Sequence, residues 1–411
     1  MNRLIRRLIP GLAVAALALT VPAAPALAAH KLLLLSIDGL DWRYIRDRDA
    51  LGLKIPHIRA ILAKSRYADG VVGVWPTITW PSHTTMITGV RPDQHGILGN
   101  ASGPPDPALS YWSFDKVKVP AIWQCLNAAG RTAGAINWPV TVNAPVAFDL
   151  AEVYASRNGD SSDMATVEKF EIPQGLAAQI NAVYPSFRQQ WLDDRSRTLA
   201  TIYLLKHKQP DLIATHLAEL DSESHAQGPF TVNAKAVVER TDELIGDILK
   251  AMPADYDLAL VSDHGFEEID HAANLKVMAA ADGVTGAMKI AGGLVTTTDP
   301  AVAAWLAGQS GKGDVGRAVP HDEIMRYAPQ LGDAVAAYEP APHVVFGAAA
   351  SGPAHGKPGN KGTHGFWPTR PDYHSIFLLS GPGVTPGRLG TIEMVSIYRR
   401  LQDAMGLSCP K

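Results

Sequence analysis

Six acidic and imidazole residues, spread over four short stretches, make up a set able to hold two divalent cations. Asp38 ends the apolar run Leu32-Leu33-Leu34-Leu35-Ser36-Ile37, Asp221 and His225 stand four apart, Asp263 and His264 close the run Leu258-Ala259-Leu260-Val261-Ser262, and His364 lies in Gly362-Thr363-His364-Gly365. Three carboxylates with three imidazoles suit zinc, which takes oxygen and nitrogen ligands in four-coordinate sites. Fixing two such cations side by side makes chemical sense mainly for clamping a phosphoryl-like group during an in-line displacement. Structural zinc is usually closed by four protein ligands. Three per metal leaves positions open, which argues for chemistry and against the alternative of a non-catalytic exported binding protein.

The displacement also needs an oxygen nucleophile. The segment Trp75-Pro76-Thr77-Ile78-Thr79-Trp80-Pro81-Ser82-His83 reads as a turn feeding a short helix that runs on to Gly89. A hydroxyl at a helix N-terminus faces free N–H donors, which favour developing negative charge. A plain Ser/Thr helix cap has the same local signature; the metal set elsewhere in the chain gives the hydroxyl its chemical reading.

These side chains need elements that bring them together. Lys31 to Ile37 reads as a strand covered on both faces, because its hydrophobicity is continuous. Strands are also expected at Thr132 to Ile136, Asp211 to Leu217, Tyr256 to Ser262 and Ser375 to Leu379. Helices are expected at Ile55 to Lys64, Arg195 to His207 and Val232 to Met252, the last ended by Pro253. The alternation predicts an α/β fold, a mostly parallel doubly wound sheet with helices on both faces. Ligands in such sheets bind outside the carboxyl ends of the strands. Asp38 and Asp263 fall there, and Asp221 is expected in the loop after its strand. Residues 267–360 are rich in Gly, Ala and Pro and read as a smaller inserted subdomain or lid, between a first core part, 29–266, and a last part, 361–411.

With these motifs in hand, the chain resembles the alkaline phosphatase superfamily, and within it the nucleotide pyrophosphatase/phosphodiesterase family. The resemblance rests on Asp38, Thr79-Trp80-Pro81-Ser82-His83, His95-Gly96-Ile97 with Asn100, Asp221 to His225 with Gly228-Pro229, Ser262-Asp263-His264-Gly265 and His364-Gly365, in that order. It implies an alkaline phosphatase-like fold and two Zn2+ ions per chain. Asp221, His225 and His364 would hold one ion; Asp38, Asp263 and His264 would hold the other, with Thr79 Oγ1 beside it. Thr79 would attack phosphorus and form a covalent phospho-threonine, while Asn100 donates to a non-bridging oxygen. The implied substrate is a small nucleotide-like phosphodiester or pyrophosphate.

Charge counting bears on the substrate. Two divalent cations against three carboxylates leave roughly one positive charge, and a threonine alkoxide brings that to about zero. A singly charged diester then enters without further cations, whereas a monoester dianion calls for another Lys or Arg; Lys361 is the nearest in sequence. A phosphomonoesterase or a phosphonoacetate-type hydrolase, sharing the same metal ligands, is the alternative. A sulfatase fits less well, because Thr79 and His83 stand where those enzymes need Cys or Ser and Arg.

Trp80, if exposed, would stack on a base or aryl group, worth roughly 1–3 kcal/mol, with Tyr154 as a second wall. His83 and His95 support the loop. His216 reads as a core histidine and His271 as a surface residue. Asp41 and Glu219 are placed to orient ligands. Asn137-Trp138-Pro139 is expected at the pocket edge, although it matches the family's Trp-Pro-Gly piece only loosely.

The chain has 411 residues, 46% of them hydrophobic, and a formal net charge of -3, which gives no nucleic-acid footprint. Arg3, Arg6 and Arg7, the apolar stretch Leu8 to Val21 and Ala26-Leu27-Ala28 read as a signal peptide over residues 1–28. The apolar run is short for a bilayer span of roughly 20 residues, so a cleaved signal is preferred to a retained anchor and the mature protein is expected to be periplasmic or secreted, with no membrane segment. Cys125 and Cys409 are the only cysteines. An oxidising compartment permits their pairing, while a buried free Cys125 is the other reading.

Overall fold

In β1 (Lys31–Ile37), Leu33, Leu35 and Ile37 point into one hydrophobic core while Leu32 and Leu34 point into another. A strand must alternate its side chains, so a run of leucines leaves no polar face, and helices cover both sides. The computed structural model describes residues 30–101, 109–154 and 163–409; the expected signal peptide lies outside them.

β1 is the middle of an eight-stranded sheet. The other strands are β2 (Arg66–Tyr67), β3 (Ala133–Ile136), β4 (Phe148–Leu150), β5 (Leu212–Leu217), β6 (Tyr256–Val261), β7 (Phe377–Ser380) and β8 (Gly387–Arg388). Their order is β8-β2-β7-β6-β1-β5-β3-β4. β1 pairs in parallel with β5, Leu32 opposite Leu212, and with β6, Lys31 opposite Tyr256. Only β7 runs against the rest. The sheet is therefore mostly parallel, as expected, and the late strand differs from expectation in direction.

One face packs on α1 (Pro56–Lys64), α4 (Asp194–Tyr203) and α6 (Val232–Ala251); the other packs on α2 (Thr79–Thr88), α3 (Ile122–Ala128) and α7 (Val395–Met405). Cys125 in α3 and Cys409 beyond α7 form a disulfide with their Cα atoms 5.4 Å apart. The chain after β5 does not form the expected loop. It turns directly into α5 (Glu219–Gln227), which carries Asp221 in its first turn and His225 in its last. A spacing of four puts both on one helix face.

Residues between the His264 and His364 loops build a second, four-stranded antiparallel sheet, ordered Lys289–Ala291, Leu294–Thr297, Ala336–Pro340, Val315–Ala318. It has its own apolar cluster around Val295, Val302 and Leu306. A further cluster joins it to the main body, where Leu294 and Ala337 meet Trp75 and Trp367.

Candidate active site

Asp38 leaves the end of β1, and Asp263 and His264 leave the end of β6, the adjacent strand, so register alone puts them side by side. His264 Nε2 stands 3.3 Å from Asp38 Oδ1 and 3.1 Å from Asp263 Oδ2. Asp221 Oδ1 on α5 lies 3.6 Å from His225 Nε2 and 3.5 Å from His364 Nε2. The His264 and His364 rings stack at 3.7 Å between centroids, joining the two groups. All six residues of the sequence-derived ligand set thus meet at one end of the sheet.

The imidazoles are aimed by their other nitrogens. His225 Nδ1 bonds the Gly362 carbonyl at 2.9 Å, His264 Nδ1 that of Gly265 at 3.2 Å, and His364 Nδ1 that of Thr77 at 3.3 Å. Each Nε2 is left facing the carboxylates. Four buried atoms there have no hydrogen-bond partner: Asp38 Oδ1, Asp221 Oδ1, Asp263 Oδ2 and His264 Nε2. A buried polar atom without a partner is costly, and four such atoms in one place are the donor set a pair of oxygen- and nitrogen-ligated cations would satisfy.

The electrostatics agree. Burial alone would raise the Asp38 pKa, but the hydrogen bond from His216 and the nearby charge of His264 outweigh it and hold the group well below the carboxylate range. Burial, then repulsion by Asp38, pushes Asp263 up to about 7 and Asp221 well above its usual value. Burial opposes charge on His264, yet Asp263 and Asp38 raise it to about 9. Burial, with His264 adding its charge, holds His225 and His364 below the ordinary imidazole value. Three crowded carboxylates without metal can only persist by keeping protons nearby; cations would take the place of those protons.

Thr79 is the first residue of α2, a helix whose residues are all buried. Asn100 Nδ2 is 3.4 Å from Thr79 Oγ1, and Asn100 Oδ1 accepts the Trp80 N–H at 3.0 Å. The amide is thereby fixed with its NH2 toward the hydroxyl. Thr79, Asn100, Asp38, Asp221, His225 and His364 line one cavity of about 630 Å³; Asp263 and His264 are buried beneath it.

Trp80 lines the cavity beside Tyr154 but does not meet the condition of exposure set for stacking. It is buried, and its Nε1 donates to Glu152 Oε2 at 2.6 Å. The Trp80 ring instead backs the half-buried Tyr154, centroids 6.3 Å apart and planes 14° from parallel. Lys361 is also misplaced as a cation: it is exposed and bonds Gln227 Oε1 at 3.0 Å. The arginine lining the cavity is Arg197, whose Nη1 holds Asp194 at 2.9 Å and whose Nε has no partner. Asn137 and Trp138 are fully buried behind the site, with Trp138 edge-on to His83 rather than at the pocket edge. Asp41 accepts from Arg43 and from the Phe266 N–H, so it fixes the loop after His264 and touches no ligand; Glu219 accepts from the Asp194 N–H. His83 bonds the Thr79 carbonyl at 2.8 Å and Ser36 Oγ at 2.9 Å, while His95 bonds Thr85; both brace the loop.

Two residues carry more than their sequence signal suggested. His216, in β5, bonds Asp38 Oδ2 at 3.0 Å through Nε2, and its Nδ1 lies 3.5 Å from Glu152. Glu152 also accepts the Tyr154 hydroxyl at 2.7 Å, completing a buried chain from aromatic wall to ligand. Glu152 shows in the sequence only as a lone charge between Ala151 and Val153.

The profile of the type I phosphodiesterase / nucleotide pyrophosphatase family matches residues 32–349, most of the chain. The protein belongs to this family. Its phosphodiesterase relatives include ectonucleotide pyrophosphatase/phosphodiesterase family member 1 of Mus musculus, 27% identical over 250 residues, 57% of this chain and 24% of that protein. Venom phosphodiesterase CdcPDE of Crotalus durissus collilineatus is 27% identical over 58% of this chain and 26% of its own. The chain thus aligns with about a quarter of the length of these relatives. Among solved structures, murine ectonucleotide pyrophosphatase / phosphodiesterase 5, in an inactive form in complex with AMP, superposes with a TM-score of 0.63 at 18% identity, covering 93% of this chain and 96% of that one. That likeness shows the fold. The alkaline phosphatase-like α/β architecture expected from sequence is the one this phosphodiesterase-family chain adopts.

Proposed function

We propose that this protein is an exported hydrolase that cleaves phosphodiester or pyrophosphate bonds of nucleotide-like substrates through Thr79. The observation that carries the reading is the convergence of four unpartnered, buried ligand-type atoms on Asp38, Asp221, Asp263 and His264 beside a hydroxyl in a cavity. Two zinc ions, one on Asp221, His225 and His364 and one on Asp38, Asp263 and His264 beside Thr79, would supply Lewis-acid stabilisation of phosphoryl charge.

The chain's own groups do the rest. Thr79 Oγ1 gives up its proton to solvent and bonds phosphorus as the P–O bond to the leaving group breaks and that oxygen takes a proton from solvent; water then bonds phosphorus, the Thr79 Oγ1–P bond breaks, and the hydroxyl is restored. Asn100 Nδ2, held by the Trp80 N–H on its Oδ1, donates to a non-bridging oxygen as charge builds there. At the N-terminus of α2, the Thr79 N–H faces the same charge. Tyr154, backed by Trp80, offers an aromatic wall for a base. The Arg197 guanidinium offers a donor to a second anionic group, as a pyrophosphate would present. Lys361, turned to Gln227, does not supply the extra cation that a monoester dianion calls for, and Arg197 is the cationic side chain that lines the cavity.

Export rests on the N-terminal residue pattern and on the Cys125–Cys409 disulfide, which fits an oxidising compartment. No helix among the described residues is long and apolar enough to cross a membrane. Residues 267–360 fit the role of an inserted unit, since the second sheet lies within them.

Thr79→Ala tests the reading. Hydrolysis of a chromogenic aryl diester by the zinc-loaded protein should fall roughly 10³-fold or more in kcat, with zinc content and melting temperature unchanged. Full retained turnover would sink the proposal. Comparing the diester and monoester of one aryl alcohol separates the two substrate classes.

A further inference from the structure

Apart from the cavity, the structure assigns a third metal site to His271, Asp314 and His355. His271 Nε2 lies 2.8 Å from Asp314 Oδ1, and His355 Nε2 lies 2.8 Å from Asp314 Oδ2. The three ligand atoms all fall within 4.8 Å of one another. The two rings stand at 68° with centroids 5.4 Å apart, so their nitrogens converge on the carboxylate from different directions. None of the three residues lines the cavity.

Backbone pairing fixes this arrangement. The strand His271–Ala273 pairs with His355–Gly356, His355 opposite Ala273, and Asp314 stands just ahead of the strand Val315–Ala318. Two imidazoles and one carboxylate suit zinc-class cations; calcium and magnesium take oxygen donors. The side chains of His271 and His355 are 37% and 52% exposed, and that of Asp314 13%, so the outer side is open for water to complete the shell. Ligand atoms around tetrahedral zinc sit about 3.3 Å apart. Each imidazole nitrogen must therefore move about half an ångström from the carboxylate oxygen it bonds, which the exposed histidine side chains do by rotation.

Three protein ligands leave a position open, but none of the three residues lines the cavity, so such an ion would act as a cross-link that water completes. His271 follows His264 by seven residues and His355 precedes His364 by nine. A cation there cross-links the two segments that lead away from, and back to, the cavity floor.

The site stands independently of Thr79 chemistry, because its test reads a difference between variants. Full-length protein is equilibrated with buffered micromolar zinc and its zinc per chain is measured by mass spectrometry. H271A/H355A should carry one equivalent fewer than the unaltered protein, and the exposed His321, changed to Ala, should have no effect. D314N, which keeps the shape of the side chain, should bind that equivalent at least tenfold more weakly in a chelator titration and lose part of the zinc-induced rise in melting temperature. Diester turnover at saturating zinc should change by less than about twofold. Equal zinc content and identical titrations across all variants would overturn the site and leave an imidazole–carboxylate hydrogen-bond pair. Should H271A/H355A fail to fold, the D314N titration decides alone.

Discussion

At the scale of single residues, aim matters as much as identity. A histidine presents two nitrogens, and which one faces a metal is set by the bond the other makes. In this site every ligand imidazole spends Nδ1 on a backbone carbonyl. His216 does the equivalent for a carboxylate: it anchors Asp38 Oδ2 and leaves Oδ1 free. Changing His216 to Ala should therefore weaken zinc binding about 10- to 100-fold, read by chelator competition. His216→Gln, which keeps a donor, should recover part of the loss. An unchanged affinity would make His216 merely a core residue.

At the scale of elements, loops bearing ligands are held by contacts between them. Thr77 Oγ1 donates to the Phe366 carbonyl at 2.6 Å and lies 3.1 Å from the Tyr373 hydroxyl, which accepts the Gly365 N–H at 2.9 Å, fastening the nucleophile loop to the His364 loop. The turn at Gly292 and Gly293, from the second sheet, presses on both. Trp75 Nε1 donates to the Gly292 carbonyl at 3.0 Å, and a Cβ on Gly293 would stand 2.8 Å from the Gly365 carbonyl oxygen. Gly293 also has φ +63, a region costly for residues with a side chain. Gly293→Ala should destabilise the protein by about 1–3 kcal/mol in urea unfolding. It should also lower kcat/KM for the diester by displacing His364. A variant with unaltered stability would show that this turn bears no such constraint.

At the scale of the whole molecule, the disulfide closes a separation of 284 residues, tying α3 to the chain end beyond α7. Closing so long a loop restricts the unfolded chain, so Cys125→Ser with Cys409→Ser should cost about 3–5 kcal/mol, visible as a lower urea midpoint. A midpoint equal to that of the oxidised parent protein would refute this. Protonation is the second global lever. In metal-stripped protein, burial opposes charge on His216 and His264, yet their carboxylate partners raise them from 6.5 to about 10 and about 9. A raised imidazole stabilises the fold fully below pH 6.5, and this is lost as pH climbs through the folded values. Asp263, raised by burial to about 7, works in the same direction at lower pH. The stripped protein should therefore melt at a lower temperature near pH 9 than near pH 6.5, and zinc should restore more at the alkaline end. A melting temperature that rose with pH would contradict this account.

Sequence alone determined much of this protein, because the strongest signals are local. A leucine run ending in Asp38 must be a buried strand with an acid at its rim, and Val232–Ala251 shows its apolar stripe directly. The order of the acidic and imidazole motifs was likewise readable along the chain. Tertiary structure decided what depends on neighbours distant in sequence. Asp221 sits in a helix because the chain turns at once after β5, Trp80 is buried because Glu152 takes its N–H, and Lys361 turns to Gln227 while Arg197 lines the cavity. The Cys125–Cys409 pairing and the meeting of His271, Asp314 and His355 belong to the same class. The physical reason is one of range. Periodicity and residue type report what a segment does with its own backbone, whereas the direction of a side chain is fixed by partners that only packing brings within hydrogen-bond distance.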